Sequence, residues 1–326
     1  MEKELNAIER SAETVIDQLR QLKAEIGKKI IGQEETLDQL LITFLAGGHA
    51  LLEGVPGLAK TLLISSLAES IHLTFKRIQF TPDLMPSDIT GAEVIQEDPE
   101  THERAYKFLP GPIFANMILA DEINRTPPKT QAAMLEAMQE RQVSAGGQMH
   151  ALPAPFFVLA TQNPLEQEGT YPLPEAQLDR FLMHVNVDYP DAAAETEILR
   201  LTRAEARHAS APPPQPLRQE TVLAARQDVR GMHMSTPVEQ YIVQLVLATR
   251  NAGLYSQQLD GWIEYGGSPR ATIALDRCAR AFAWLKGQDF VSPDDVQAVA
   301  ADVLRHRLLL SFEAEANGVT PDQVIK

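Results

Sequence analysis

One segment of this chain has the composition and spacing of a loop that binds phosphate groups: Gly54-Val55-Pro56-Gly57-Leu58-Ala59-Lys60-Thr61. An apolar run precedes the segment and a helical pattern follows it, so the loop connects a strand to a helix. In such loops, backbone amides and the positive end of the helix point at phosphate oxygens. Lys60 adds a cation and Thr61 offers a hydroxyl to magnesium. A plain tight turn is the alternative, and the spacing disfavours it.

The position before Lys60, where this motif usually has glycine, is Ala59. Its methyl group narrows the room for a close approach of the backbone. Either the local conformation is helical or the loop is slightly displaced.

Length and composition indicate an ordinary globular chain. Its 326 residues suffice for about two domains, each with its own core. The hydrophobic fraction is 44%, and no segment approaches the roughly 18 apolar residues that span a bilayer. With no signal-peptide core at the N-terminus, we expect a cytoplasmic protein without membrane insertion. The single cysteine, Cys278, lies in a helical pattern and is expected to be a buried packing residue.

The charge balance constrains the partners. Forty-four acidic and 29 basic residues give a net charge of -15, which repels nucleic acid and anionic membranes. Nucleic acid is therefore not an expected partner, although a local basic pore stays possible. The eight histidines are scattered and have no cysteine cluster beside them, so no zinc site is expected.

Hydrophobic patterns divide the chain into four parts. Residues 1–27 fit an amphipathic helix, residues 28–208 alternate apolar strands with helices, residues 209–216 form a proline-rich linker, and residues 217–326 are helical. The predicted strands are Ala50–Glu53, Thr74–Phe80, Asn116–Asp121, Phe156–Thr161 and Phe181–Val187. Continuous apolar strands that alternate with helices predict an α/β fold with a parallel sheet covered on both faces. Three helix starts are predicted from a capping residue followed by proline at the first helical position, with Thr236, Ser268 and Ser292 as the caps. Helix ends are predicted at Gly253 and Gly287.

Two further strand ends carry polar groups. The apolar strand 117–121 ends in Asp121 and Glu122, which could hold magnesium and act as general base, respectively. Solvated acidic residues at a strand end are the alternative. Asn163 follows the strand 156–161, at the edge where open parallel sheets place ligand contacts. It could orient the attacking water or sense the terminal phosphate, and an Asn-Pro turn is the structural alternative. The extra strand 74–80 between the phosphate loop and the acidic strand, together with the glutamate beside the aspartate, favours an ATPase over a kinase or GTPase.

These elements together resemble the MoxR subfamily of AAA+ ATPases. The resemblance runs from about residue 28 to the C-terminus and is carried by the loop 54–61, the runs 120–129 and 160–164, and Leu173-Pro-Glu-Ala-Gln-Leu-Asp-Arg-Phe181. Relatives also use alanine at the position of Ala59. The resemblance implies a five-stranded P-loop AAA+ sheet followed by a small all-helical lid, with ATP and Mg²⁺ as cofactors.

The resemblance also implies roles for individual residues. Arg180 matches the arginine finger that reaches the nucleotide of a neighbouring subunit, and Arg270 matches sensor 2, which reads the terminal phosphate. An ion pair with Asp179 or Glu175 is the alternative for Arg180, and a structural salt bridge is the alternative for Arg270. Ile31 and Gly32 match the segment that covers adenine. Thr61 and Asp121 would hold Mg²⁺, partly through water, while the other residues of the loop 54–61 bind the phosphates.

At the level of assembly, the resemblance implies a homo-oligomer, in the form of a hexameric ring. One chain would supply Lys60, Thr61, Asp121, Glu122, Asn163 and Arg270 to each site, and the next chain would supply Arg180. The segments 81–112 and 142–155 match inserts that face the central channel and act on a protein client. A partner with a von Willebrand A domain is a further implication.

Two other functions stay open at this stage. One is a binding switch controlled by ATP with little turnover, because a complete set of catalytic residues does not fix a rate. The other is a motor on nucleic acid, which the acidic charge and the lack of lysine and arginine in 142–150 disfavour. Arg125 and Lys129 could reach a subunit interface or simply solvate the following helix.

Overall fold

The computed structural model describes residues 2–28, 30–54, 58, 60–97, 104–145, 147–164, 168–205 and 217–326. Several predicted features lie outside the described residues: Val55, Pro56, Gly57 and Ala59 of the phosphate loop, the first glycine of the 146–147 turn, and the linker 209–216.

The strands are β1 (Ala50–Gly54), β2 (Phe75–Gln79), β3 (Gly91–Glu97), β4 (Arg104–Pro110), β5 (Met117–Asp121), β6 (Gln142–Ala145), β7 (Gln148–Ala151), β8 (Phe157–Gln162), β9 (Met183–Val187), β10 (His233–Met234), β11 (Ile263–Tyr265), β12 (Phe290–Val291) and β13 (Leu309–Leu310). The helices are α1 (Glu2–Gly27), α2 (Glu34–Leu45), α3 (Lys60–Ser70), α4 (Pro86–Thr90), α5 (Pro128–Glu140), α6 (Glu175–Leu178), α7 (Ala192–Glu205), α8 (Gln219–Gly231), α9 (Thr236–Arg250), α10 (Gln257–Trp262), α11 (Pro269–Leu285), α12 (Pro293–Leu304), α13 (Phe312–Ala316) and α14 (Pro321–Ile325). Short 3₁₀ turns cover Ile123–Arg125, Ala252–Leu254 and Arg305–Arg307.

A five-stranded parallel sheet forms the centre of the fold, in the order β2-β5-β8-β1-β9. Alternate residues of its inner strands belong to two separate buried clusters, as Leu51 and Leu52 show for β1. Successive side chains of a strand point to opposite faces, so both faces of the sheet are covered. The α/β fold with a five-stranded parallel sheet is confirmed.

The N-terminal helix packs on its own chain. The apolar side chains Val15, Leu19, Leu22 and Ile26 are buried in the larger cluster, and α1 contacts α3 and α8. This burial is the expected consequence of the apolar stripe in residues 1–27.

The C-terminal part is helical from α8 to α14, with two short strand pairs, β10–β12 and β11–β13, that the prediction of a purely helical lid did not include. Ser268 and Ser292 cap α11 and α12 as predicted. The prediction that Thr236 is a cap is wrong, because α9 begins at Thr236 and the extended residue before it is Ser235. Gly287 ends α11 in the left-handed conformation, with φ of 75°.

Two other predictions have clear outcomes. The predicted end at Gly253 is displaced, because α9 ends at Arg250 and Gly253 lies in the following 3₁₀ turn. Cys278 is fully buried in the core, as predicted, and burial raises the pKa of its thiol. Among the helices that the structure describes, none combines the length and apolar character needed to cross a membrane.

Candidate functional site

The carboxyl edge of the sheet collects the polar residues predicted from the strand ends. Gln79 of β2 is in register with Asp121 of β5, and Glu53 of β1 is in register with Gln162 of β8. Asn163 directly follows Gln162 and is buried at 6% exposure. Because all five strands are parallel, the end of β1, the acidic pair and Asn163 lie at one edge.

The described part of the phosphate loop brings Lys60 to this edge. The helix α3 begins at Lys60, and the Lys60 ammonium donates a hydrogen bond to the carbonyl oxygen of Gly54. Burial lowers the pKa of Lys60, while the nearby carboxylates of Asp121, Glu122 and Glu53 oppose that shift. A cation therefore lies within the field of the acidic pair, at the positive end of a helix.

Gly54 is required for close packing at the end of β1. A Cβ atom at this position would lie 2.7 Å from the carbonyl oxygen of Val187 on β9. Any larger residue would push the start of the phosphate loop away from the neighbouring strand.

The acidic pair is held by a network that the sequence did not predict. Thr161 on β8 donates from its hydroxyl to the Oδ1 atom of Asp121 at 2.7 Å and accepts from the backbone N–H of Glu122 at 2.8 Å. Arg77 donates through Nε to the Oδ2 atom of Asp121 at 3.0 Å, and Gln79 donates to Oε2 of Glu122 at 2.8 Å. Neighbouring strands thus fix both carboxylates.

Glu122 itself has an unusual backbone. Its φ and ψ are 57° and 51°, a left-handed conformation that costs a non-glycine residue on the order of 1 kcal/mol. This turn directs the Glu122 side chain away from that of Asp121, towards Gln79 and towards Arg125, whose Nε lies 3.1 Å from Oε2. Arg125 thus contacts the acidic pair of its own chain. This contact differs from both predicted roles, which were a subunit interface and solvation of the following helix. Lys129 lies in the first turn of α5.

The donor set of this edge fits a magnesium nucleotide. The protein offers hard oxygen ligands, the Asp121 carboxylate and the Thr61 hydroxyl in the first turn of α3. Within the described ranges, no group of three or more His, Cys, Asp or Glu side chains could hold a metal alone. Mg²⁺ is usually bound by one or two such protein oxygens together with substrate phosphates. The edge therefore suits Mg²⁺ that arrives with a phosphate ligand.

Ile31 and Gly32 lie beside the same edge. They line a cavity of about 810 Å³ together with Tyr189 and Pro190, which follow β9. Gly32 has φ of 77°, and a Cβ atom there would lie 2.8 Å from that of Ala194. The adjacent Gln33 donates to the carbonyl oxygen of Leu58 at 2.9 Å, which ties this segment to the phosphate loop.

A second polar cluster lies at the opposite edge of the sheet. Asp179 precedes β9, accepts from Nε of Arg307 at 2.8 Å and from the Ser268 hydroxyl at 2.8 Å, and lies 3.7 Å from Nη1 of Arg270. Arg180 makes no salt bridge with the described residues, and its Nε has no hydrogen-bond partner there. The alternative interpretation of Arg180, an ion pair with Asp179, is thus not what the structure contains.

The register of β9 separates the two clusters. Met183 at its start pairs with Ala50, and Val187 at its end pairs with Gly54. Four residues of strand span about 13 Å, and Arg180 lies three residues before that start. In this structure Arg270, 3.7 Å from Asp179, therefore lies at the edge of the sheet opposite to the Lys60 group of its own chain. The bond between Ser268 and Asp179 places the start of α11, with Arg270, beside Arg180.

Removal of Asp179 is predicted to destabilise the fold. The Arg307 side chain is only 2% exposed, so the Asp179→Ala substitution leaves a buried guanidinium without its counterion. We expect the free energy of unfolding in urea to fall by about 3 kcal/mol. The control is Asp17→Ala, which breaks an exposed pair with Arg20 and is expected to cost less than about 1 kcal/mol. Equal losses in both variants would contradict the prediction.

The fold and the carboxyl edge define the class, a P-loop ATPase domain followed by a helical lid. Residues 49–183 match the family model of the ATPase family associated with various cellular activities, and residues 260–326 match that of the AAA lid domain. The chain belongs to the MoxR family of AAA+ ATPases.

Individual relatives support this assignment. The chain is 43% identical to chaperone MoxR1 of Mycobacterium tuberculosis, over 92% of this chain and 78% of the relative. It is 34% identical to protein MoxR of Paracoccus denitrificans, over 93% and 92% of the two chains. A crystal structure of a candidate ATPase from Cytophaga hutchinsonii matches with a TM-score of 0.91 and 43% identity, over 99% of this chain and 96% of that one.

Proposed function

We propose that this protein hydrolyses ATP to ADP and phosphate as a ring, hexameric as the family resemblance implies, and uses the energy to remodel a protein client. The observation that carries the proposal is the division of the polar residues between two edges of one sheet. Lys60, Asp121 and Glu122 lie at the carboxyl edge, and Arg180 lies at the amino edge. A head-to-tail interface between identical chains joins unlike surfaces and generates a ring when its rotation closes.

Each residue of the carboxyl edge has a role that follows from its chemistry. Lys60 and the backbone of the loop bind the phosphates, and Thr61 and Asp121 would hold Mg²⁺, which neutralises charge on the phosphate oxygens when bound. Glu122 accepts a proton from the water that attacks the terminal phosphorus, as the bond to the bridging oxygen breaks. Asn163 orients this water from the neighbouring strand.

Arg180 and Arg270 complete the site of the next chain. Among the residues that the structure describes, the Arg180 Nε has no hydrogen-bond partner. Arg270 is 49% exposed at the start of α11. A planar guanidinium suits the charge that builds up on a transferring phosphoryl group. Arg270 therefore acts across the interface, beside Arg180, and not on the nucleotide of its own chain.

The Arg270→Ala substitution tests this shared role. We expect ATP turnover of the assembled protein to fall about 20-fold, a loss of nearly 2 kcal/mol that is typical of a hydrogen bond to a charged group. Binding of ATP to the unassembled chain should be unchanged, as in the control Arg203→Ala, which removes an exposed arginine of α7. A loss of ATP affinity in the unassembled chain would place Arg270 in the site of its own subunit.

The two inserts suit a protein client better than nucleic acid. The hairpins β3–β4 and β6–β7 contact each other, and the ring of Phe108 stacks on that of His150 at 4.1 Å. Exposed apolar side chains lie on these hairpins, with Ile95 61% and Tyr106 75% exposed. Apolar groups that remain in water mark surfaces for protein contacts. The von Willebrand A partner rests on the family resemblance.

A nucleotide-controlled binding switch is the second candidate, and the contacts of the acidic pair favour it. Arg77 occupies one oxygen of Asp121, while Gln79 and Arg125 occupy Glu122. In this arrangement both carboxylates are engaged by the protein. Steady-state turnover with and without a client distinguishes the two: a switch hydrolyses ATP slowly in both conditions.

The Arg77→Ala substitution is predicted to favour magnesium binding. The Arg77 guanidinium competes with Mg²⁺ for the Oδ2 atom of Asp121, but it is half exposed, so its contribution is at most about 1 kcal/mol. We expect the Mg²⁺ concentration that half-saturates ATP turnover to fall about fivefold. The control is Lys76→Ala, which removes a neighbouring exposed charge from β2. A higher Mg²⁺ requirement would show that Arg77 supports the metal site instead.

A further inference from the structure

A cavity of about 270 Å³ lies between the AAA+ domain and the lid. Its wall includes Arg277, which also lines the neighbouring cavity of Arg180 and Arg270. Gly47, at the end of α2, and Arg141, at the end of α5, line its AAA+ side. Arg230 of α8, with Arg277 and Arg280 of α11, lines its lid side. Because Gly47 precedes β1, the cavity lies at the amino edge of the sheet, away from the phosphate loop that follows Gly54.

A buried guanidinium lies close to this cavity. Arg226 on α8 is 6% exposed, and its guanidinium carbon lies 4.6 Å from the centroid of the Phe44 ring. Its Nε and Nη2 atoms have no hydrogen-bond partner in the part of the chain that the structure describes. Burial, with smaller effects of Arg141 and Arg230, lowers the pKa of Arg226 to about 10. A buried charge without a partner is costly, and bound anions are one means of satisfying it.

The cavity has little negative charge of its own. One carboxylate lines it, that of Asp276, and Nε of Arg280 lies 2.8 Å from its Oδ1 atom. Arg141 is oriented by a hydrogen bond from Nη2 to the carbonyl oxygen of Gly47 at 3.0 Å. Arg141, Arg230 and Arg277 line the cavity with no salt bridge to the described residues, and Arg226 lies one helical turn before Arg230. The net charge of the chain, in contrast, is -15.

We propose that this cavity binds a phosphate group, at a site separate from the loop that ends at Lys60. Guanidinium groups donate several N–H bonds to phosphate oxygens, and the charge of the anion offsets the repulsion among the arginines. Arg141 belongs to the AAA+ domain, while Arg226, Arg230 and Arg277 belong to the lid. A bound phosphate therefore links the two parts and stabilises one arrangement of lid and AAA+ domain.

The first test is a calorimetric titration of the full chain with inorganic phosphate, at ionic strength held constant with potassium chloride. The Lys60→Ala substitution weakens the nucleotide loop, so that binding there does not mask the second site. We expect saturable phosphate binding in this variant, with a dissociation constant raised at least tenfold by the added pair Arg230→Gln and Arg277→Gln. Both arginines are exposed, so the fold should tolerate the pair. The control is Arg203→Gln, which removes an exposed arginine of α7.

Absence of saturable binding in the Lys60→Ala variant, for both phosphate and ADP, would overturn the proposal. So would binding that the Arg230 and Arg277 pair does not weaken. A third outcome is that ADP binds the Lys60→Ala variant and the Arg230 and Arg277 pair weakens this binding, while inorganic phosphate does not bind. The phosphate group is then one carried by a nucleotide. Binding that the Arg230 and Arg277 pair weakens supports the proposal, whether the ligand is inorganic phosphate or ADP.

Thermal unfolding gives a second readout that a purely structural role would not change. We expect phosphate to raise the unfolding temperature of the Lys60→Ala variant relative to chloride, and the added Arg226→Met substitution to remove most of this increase. In chloride alone, the double variant should be as stable as the Lys60→Ala variant or more so, because it lacks an unpaired buried charge. An unchanged response of the double variant to phosphate would contradict the proposal. If Arg226→Met does not fold, the titration with the Arg230 and Arg277 pair decides.

Discussion

The Glu122→Gln substitution is expected to lower steady-state ATP hydrolysis by about a thousandfold and to leave ATP affinity nearly unchanged. Glutamine keeps the shape of the side chain and its hydrogen-bonding contact with Gln79, but its amide cannot accept a proton from the attacking water. Loss of a general base typically costs about 10²- to 10⁴-fold in rate. Lys60, Thr61 and Asp121, which bind the phosphates and the metal, are untouched. Phosphate release measures turnover, and equilibrium titration with ATP measures binding.

The control for this experiment is Glu69→Gln, which changes an exposed carboxylate of α3 and should leave both quantities as they are. If the Glu122→Gln variant turns over at the parental rate, Glu122 is not the base. If ATP affinity falls together with turnover, Glu122 contributes to binding and its role as base loses its support. A variant that retains ATP also offers a way to capture the client, because the complex is held before hydrolysis.

The central sheet could be predicted because its strands are buried on both faces. Such strands are almost continuously apolar, and the predicted limits Ala50–Glu53 differ by one residue from the observed Ala50–Gly54. The carboxyl edge followed from the same pattern, since parallel strands place their ends together. Position at the strand ends alone therefore suffices to predict Asp121, Glu122 and Asn163 as candidate site residues.

The contacts of Arg77 and Gln79 could not be predicted in this way. Both lie on β2, an edge strand, where polar residues usually face water. Their partners are 44 and 43 residues away in the chain, and only the register between β2 and β5 brings them together. One signal was present: the two residues are two apart in a strand and so share a face.

The edge of the sheet at which Arg270 lies could not be predicted for a related reason. Its helix start was recognised from Ser268 and Pro269, but a local pattern does not tell which edge of the sheet that start meets. The bond from Ser268 to Asp179, 89 residues away, decides it. The basic cavity near Arg141 could not be predicted either, because its residues come from four separate helices and share no sequence pattern.

The Arg180→Ala substitution is expected to lower turnover of the assembled protein by about a thousandfold, the effect of removing a guanidinium from a phosphoryl-transfer site. The unassembled chain should bind ATP as before, because Arg180 lies at the edge of the sheet opposite to Lys60. Arg180→Lys keeps the charge without the planar fork and should recover only part of the activity. Normal hydrolysis by Arg180→Ala, in isolated and assembled protein alike, would show that the site is not shared.

Mixing two inactive variants separates a shared site from a structural defect. The Lys60→Ala chain lacks the phosphate contact but presents an intact Arg180, and the Arg180→Ala chain has the opposite composition. In a random equimolar ring, about a quarter of the interfaces combine the intact Lys60 of one chain with the intact Arg180 of the next. We therefore expect roughly a quarter of the parental turnover from a mixture of chains that are each nearly inactive. A mixture no more active than its components would mean that both residues serve the same chain.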